Sequence, residues 1–169
     1  MNVRVERTSD MQGIRQVNLD AFETSVEADL VDALRERGAF MISLVAVERE
    51  QIVGHIMFSE VEIRSGNQIH TELGLAPMAV RKDYQGKGVG SNLITAGLEA
   101  CRKAGYRGVI VLGHPKYYPR FGFKPASNYG FKFPMDVPDE AFMALELVEN
   151  GLSGVSGEVT FRPEIMAAD

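Results

Sequence analysis

VRKDYQGKGVGS, Val80 to Ser91, is the stretch on which the fold turns. Its glycines, Gly86, Gly88 and Gly90, fall at alternate positions. Glycine tolerates positive φ and has no Cβ to bar a ligand, so several backbone N–H groups of such a loop can point at one anion. The residues that follow read as a helix, whose N-terminus favours negative charge. The loop therefore suits a diphosphate. A Walker A loop needs GxxxxGK followed by Ser or Thr, and no Lys precedes Ser91. A dinucleotide fingerprint needs GxGxxG in an early βαβ unit, and Gly86-x-Gly88-x-Gly90 lacks the third spacing. A glycine-rich turn without a ligand is the plain alternative.

Downstream, Val89–Ala104 predicts an amphipathic helix, with Val89, Leu93, Gly97, Ala100, Cys101 and Ala104 on one face and Asn92, Thr95, Glu99, Arg102 and Lys103 on another. Gly105 ends it, and Gly108–Leu112 (GVIVL) reads as a buried strand. Upstream lies a strand from about Gln68 to Val80. Pro77, which cannot donate to a ladder, predicts an edge or a bulge in it. Before the turn Ser65-Gly66-Asn67, Ile42–Glu48 and Gln51–Ile63, rich in Val, Ile and Phe around a short charged turn, predict a hairpin.

The ends complete the order. Val3–Arg7 alternates like a half-buried strand. Thr8, Ser9 and Asp10 offer N-cap oxygens to a helix with Met11, Ile14, Val17, Ala21 and Phe22 on one face. Thr24 and Glu27 have capping-box spacing for a second helix carrying Leu30, Val31 and Leu34, with Gly38 beyond it. Pro115–Phe121 predicts a helical turn or two. Phe142–Leu147 and Glu158–Arg162 predict closing strands joined by the glycine-rich 151–157. The order is strand, two helices, three strands, helix, strand, short helix, two strands.

At 169 residues, with 45% apolar and 24% charged side chains, the chain fits one α/β domain spanning 1–169. A net charge of −5 argues against a nucleic-acid binder, because phosphate backbones require a basic face. The single Cys101 suits a reducing compartment. With a charged N-terminus and no stretch long enough to span a bilayer, a cytoplasmic location is expected, with no membrane partner.

Gln85-Gly86-Lys87-Gly88-Val89-Gly90 resembles the Q/R-x-x-G-x-G/A signature of the GNAT superfamily of acetyl-CoA-dependent N-acetyltransferases, and the flanking strand and helix supply its context. Tyr118-Pro119-Arg120-Phe121-Gly122-Phe123 is similar to the family's Y-x-x-x-G-F segment. The element order also resembles that fold over nearly the whole chain. LGLAPMAV, YYPRFGF and GLSGVSGEV resemble a widespread bacterial branch.

The resemblance implies a mixed, mostly antiparallel sheet of about seven strands with flanking helices, splayed between the fourth and fifth strands. It implies acetyl-CoA as co-substrate and no metal. Main-chain groups of Met78, Ala79 and Val80 would meet the pantetheine arm, and the backbone of Gln85, Gly86, Lys87, Gly88, Val89, Gly90 and Ser91 the diphosphate. The acetyl group would pass to a primary amine, small molecule or peptide, by direct attack in a ternary complex. A backbone N–H would stabilise the oxyanion. Tyr118 matches the family's proton donor to the leaving thiolate. Packing in the cluster Tyr117, Tyr118, Phe121 and Phe123 is the other reading, and Tyr117 is its competitor. For the general base, Glu72 comes first and Glu60 second. A water chain, with both carboxylates as solvent-facing strand residues, is the alternative.

The family's Asn after the fifth strand is absent, since the region reads Gly113-His114-Pro115. His55, His70 and His114 show no metal spacing, and Cys101 reads as core. Of Arg81, Lys82 and Lys87, at most one is expected to reach phosphate. Phe131, Phe133, Met135 and Asp136 stand as acceptor-pocket candidates by position. A homodimer is left open. A non-catalytic acyl-CoA-binding module and a nucleotide-phosphate binder are the competing functions.

Overall fold

In the computed structural model, which describes residues 1–168, the alternating N-terminal segment does form a strand. The strands are β1 (Asn2–Val5), β2 (Phe40–Glu48), β3 (Gln51–Ser65), β4 (Gln68–Val80), β5 (Gly108–Leu112), β6 (Lys124–Pro125), β7 (Phe131–Lys132), β8 (Phe142–Glu146) and β9 (Gly157–Thr160). The helices are α1 (Met11–Ala21), α2 (Val26–Glu36), α3 (Val89–Lys103) and α4 (Pro163–Met166). The fold is α/β, with an open, mostly antiparallel sheet ordered β1-β2-β3-β4-β5-β8-β6, and β9 pairing with β3 and β7. The nine strands exceed the seven expected because β6 and β7 are two-residue pairings too short to leave a periodic pattern.

The chain forms two compact units. One holds residues 1–59, 76–97 and the chain from Pro163; the other holds 60–75 and 98–162. In the first, α1 and α2 turn Ile14, Leu30, Val31 and Leu34 onto Val45 and Met57 of the sheet. Each such buried aliphatic side chain contributes roughly 1.5–3 kcal/mol. A polar thread runs through this core. Arg35 pairs with Glu6 through Nη1 and Nη2, and Ser43 Oγ donates to Glu6. Ser43 Oγ therefore accepts from His55 Nε2 at 2.9 Å, while Asn18 Nδ2 approaches His55 Nδ1 at 3.5 Å. These partners suit the neutral imidazole, and burial holds His55 down to about 4.

In the second unit β4 and β5 run parallel through Leu73↔Val109 and Gly74↔Ile110. β5 pairs antiparallel with β8 along its whole length, from Gly108↔Glu146 to Leu112↔Phe142. Among the described residues the parallel register of β4 with β5 comprises those two pairs, so the splay expected between these strands follows Gly74. Cys101, fully buried on α3, has its thiol pushed up to about 12 by that burial.

Local details depart from expectation where side chains found other partners. Thr8–Asp10 is a 3₁₀ turn rather than a simple cap. Asp10 accepts the Arg7 amide at 2.6 Å and pairs with Arg4 at 2.7 Å. No capping box closes between Thr24 and Glu27. α2 starts at Val26, Thr24 Oγ1 accepts only the Val26 amide at 3.4 Å, and Ser25 Oγ bonds Asp29 instead. The Ala76–Pro77 peptide is cis. Among the described residues no helix is long and apolar enough to cross a membrane.

Candidate active site

Between β4 and α3 the chain makes a 3₁₀ turn at Lys82–Tyr84 and then bends through Gly86 at φ +74° and Gly88 at φ +86°. Side chains rarely adopt that left-handed region, which is why glycine stands at both places. Gly86, Lys87 and Gly88 are exposed, and nothing lies within 4 Å of a Cβ built on either glycine. The Asn92 amide bonds Gly88 O at 3.0 Å. The amides of Gly88, Val89 and Gly90 thus precede the first helical bond and lie at the positive end of a 15-residue helix. A bare, glycine-lined bend at a helix N-terminus fits a phosphate group.

The bend is tied at its base. Gln85 Nε2 donates to Val80 O at 2.9 Å, the Gln85 amide bonds Lys82 O at 3.3 Å, and the Lys82 amide bonds Asp20 Oδ2 at 2.7 Å. Arg81 is spent on β3, its amide on Val53 O at 2.9 Å and its Nε on Ile52 O at 3.0 Å. Gln85 thus closes the loop onto the strand end with its side chain, and the Val80 carbonyl is its acceptor. Lys87 Nζ stands 5.7 Å from the Tyr84 ring. Ala79 is buried, whereas Met78 and Val80 are partly exposed.

The second unit carries Tyr118 and Glu72. Tyr118 opens the 3₁₀ turn Tyr118–Phe121 that Gly122 ends at φ +101°. Its ring stands edge-on to Tyr117 at 5.3 Å and to Phe123 at 5.6 Å. It also lies against Gly113, where a Cβ would come within 2.5 Å of Cε2. Sequence reasoning missed Gly113 altogether. Burial pushes the Tyr118 phenol up to about 12, with the neighbouring Tyr117 adding to the rise, so the group stays protonated across the neutral range. Tyr117 is turned differently, with Arg120 stacked 4.7 Å over its ring. Tyr118 is thus packed among aromatic rings and carries a neutral phenol.

Glu72 is not the solvent-facing strand residue of the bland alternative: it is 2% exposed. Oε1 accepts the amides of Arg107 at 2.7 Å and Gly108 at 3.0 Å, and Oε2 meets His70 Nε2 at 2.5 Å. The carboxylate fixes where β5 begins. Glu60 is exposed. His114 Nδ1 accepts the Lys116 amide at 3.3 Å within its own turn. Phe131 is buried beside Tyr129, Phe133 is partly buried, and Met135 and Asp136 are exposed. Among the described residues no group of three or more His, Cys, Asp or Glu could hold a metal ion.

Residues 2–126 match the family model described as an acetyltransferase (GNAT) domain. The N-acetyltransferase YhbS of Escherichia coli K12 is 36% identical over 162 residues, 95% of this chain and 96% of that protein. YjhQ of the same organism, also named an N-acetyltransferase, is 42% identical over 135 residues, 78% and 75% of the two chains. The crystal structure of E. coli YhbS with CoA superposes with a TM-score of 0.92 at 34% identity, over 98% of this chain and 91% of that one. A GNAT acetyltransferase from Brucella melitensis with acetyl-CoA gives 0.80 at 37% identity, over 97% of each. Bend, strand register and buried tyrosine stand in the context of a family model matched over most of the chain, and this chain belongs to the GNAT family of N-acetyltransferases.

Proposed function

We propose that residues 1–169 work as one acetyltransferase domain that moves the acetyl group of acetyl-CoA to a primary amine. The observation that carries this reading is the left-handed pair Gly86 and Gly88 opening into α3. The exposed amides of that bend would hold the diphosphate, and Met78, Ala79 and Val80 would offer main-chain groups to the pantetheine. Support comes from the CoA and acetyl-CoA complexes of the two related proteins. A cytoplasmic setting, with its reduced Cys101, belongs to the same reading.

The amine lone pair attacks the thioester carbonyl carbon, the C–S bond breaks, and the thiolate takes a proton. Tyr118, its phenol held neutral by burial, supplies that proton. Glu72 is 2% exposed, and its carboxylate is held by the Arg107 and Gly108 amides and by His70. Glu72 is therefore assigned a positioning role, and the ammonium proton leaves through water.

Tyr118→Phe tests the assignment. Turnover should fall about 10²-fold or more, with acetyl-CoA affinity within about twofold of the parent, since a proton donor contributes roughly 10²–10⁴. Undiminished turnover removes Tyr118 from the reaction. Failure of acetyl-CoA to raise the melting temperature of the parent protein removes the whole reading.

A further inference from the structure

The turn that leads into the glycine bend has no cap of its own. Lys82–Tyr84 is a 3₁₀ turn with Arg81 at its N-cap, and no side chain there bonds a leading amide. The first amides of any helical turn lack a partner within it, and Ser, Thr, Asp or Asn at the N-cap ordinarily supplies one. Here the oxygen comes from 62 positions upstream: Asp20 Oδ2 accepts the Lys82 amide at 2.7 Å. The turn then closes on itself. The Tyr84 amide bonds Arg81 O at 2.8 Å, the Gln85 amide bonds Lys82 O at 3.3 Å, and the chain enters the bend at Gly86.

Helix α1 delivers Asp20 to this place. Gly13, Val17 and Asp20 recur at helical spacing and share one face. At Gly13 that face meets β3, where a Cβ would come within 2.9 Å of Ile52 Cδ1, and Val17 is fully buried. The Ile52 carbonyl accepts Arg81 Nε at 3.0 Å, and the Val53 carbonyl accepts the Arg81 amide at 2.9 Å. The same stretch of β3 thus seats α1 and the residue before the turn. Charge gives Asp20 no reason to be there. It stands in the last turn of α1, where the helix dipole disfavours a carboxylate and no basic residue offsets it. It also adds negative charge at the entrance to a bend that suits a diphosphate. Its contribution is therefore the hydrogen bond.

We infer that Asp20 is a positioning residue for coenzyme binding: it fixes the start of the turn from α1, so that the amides of the bend are arrayed before the ligand arrives. The inference rests on the acetyl-CoA reading of the bend given above. Preorganisation of this kind acts on affinity rather than on the chemical step, because bound coenzyme and transition state benefit from it equally. Charge and hydrogen bond separate at this residue, since asparagine keeps an acceptor oxygen and drops the charge.

The test is titration calorimetry with coenzyme A, joined to steady-state kinetics, on the parent, Asp20→Asn and Asp20→Ala. Asp20→Ala should weaken coenzyme binding about three- to tenfold, the contribution of one exposed hydrogen bond. The KM for acetyl-CoA should rise to match, with kcat at saturation held within about twofold. Asp20→Asn should bind as the parent does or more tightly, and any gain should fade as salt rises. Lys82→Pro removes the donor amide itself. Arg81, at ψ 141°, already has the backbone favoured before proline, and the first position of a helical turn admits proline. In that background Asp20→Ala should weaken binding no further. Three results overturn the inference: parental affinity in Asp20→Ala, a loss in Asp20→Asn as large as in Asp20→Ala, or an Asp20→Ala loss that persists undiminished in Lys82→Pro. Each of them leaves the coenzyme reading of the bend standing, whereas a parent that does not bind coenzyme A refutes both.

Discussion

Replacing Gly113 by Ala should disable the enzyme without touching any reacting group. A Cβ at this position would sit 2.5 Å from Tyr118 Cε2 and 3.0 Å from Cδ2. Carbon atoms in contact prefer about 3.5–4.0 Å, so the ring must retreat by on the order of 1 Å. The backbone of Gly113 is not left-handed, so alanine meets only this steric objection. The Tyr118 ring is hemmed by Tyr117 and Phe123, which leaves it little room to retreat without tilting its hydroxyl. A displacement of about 1 Å at a reacting group costs on the order of 10²-fold in rate. We expect kcat to fall by about 10- to 100-fold, acetyl-CoA affinity to hold, and stability to drop by about 1–3 kcal/mol from overpacking. The assay is steady-state coenzyme A release at saturating amine for Gly113→Ala, Tyr118→Phe and the double variant. Both single changes act through one hydroxyl, so the double variant should be no slower than Tyr118→Phe alone. A Gly113→Ala enzyme of full activity, or losses that multiply in the double variant, would refute the reasoning.

Other perturbations follow from the same geometry. Gly88→Ala puts a side chain at φ +86° on the exposed bend, and titration calorimetry should show coenzyme affinity weakened about tenfold or more, at a cost of roughly 1–2 kcal/mol in backbone strain. Glu72→Ala leaves two amides and His70 without their acceptor and should destabilise by about 2–4 kcal/mol. Glu72→Gln retains an acceptor oxygen and should recover most of the activity, an outcome that a true general base would not allow. His55, at about 4 in the folded protein against an ordinary 6.5, binds fewer protons folded than unfolded. Its contribution is therefore complete above pH 6.5 and lost as pH falls toward 4, up to about 3 kcal/mol, which urea midpoints across that window would measure. A His55 ring that titrates near 6.5 by NMR contradicts this.

What the sequence made legible was whatever rests on neighbouring residues. The bend at Gly86 and Gly88, the face of α3 and the strand GVIVL each announce themselves through local spacing. Glu72 could not be read in the same way. Its burial depends on amides 35 and 36 positions downstream, and nothing in ELGLAP announces them. Gly113 looked like an ordinary loop glycine because its reason is a ring five residues on that folds back over it. Thr24 and Glu27 had the right spacing for a cap, but Ser25 took Asp29 and the helix began elsewhere. Phe142 and Phe161 read simply as strand residues. Only the pairing of β8 with β5 and the contact with Gly74 bring them onto one face of the sheet.

The seclusion of Cys101 has a practical consequence at the bench. With its only sulfhydryl out of solvent and protonated until about pH 12, the folded protein should be silent toward aromatic disulfide reagents. Colour developed with such a reagent during turnover would then count product molecules against almost no background, and a rising blank would report unfolding.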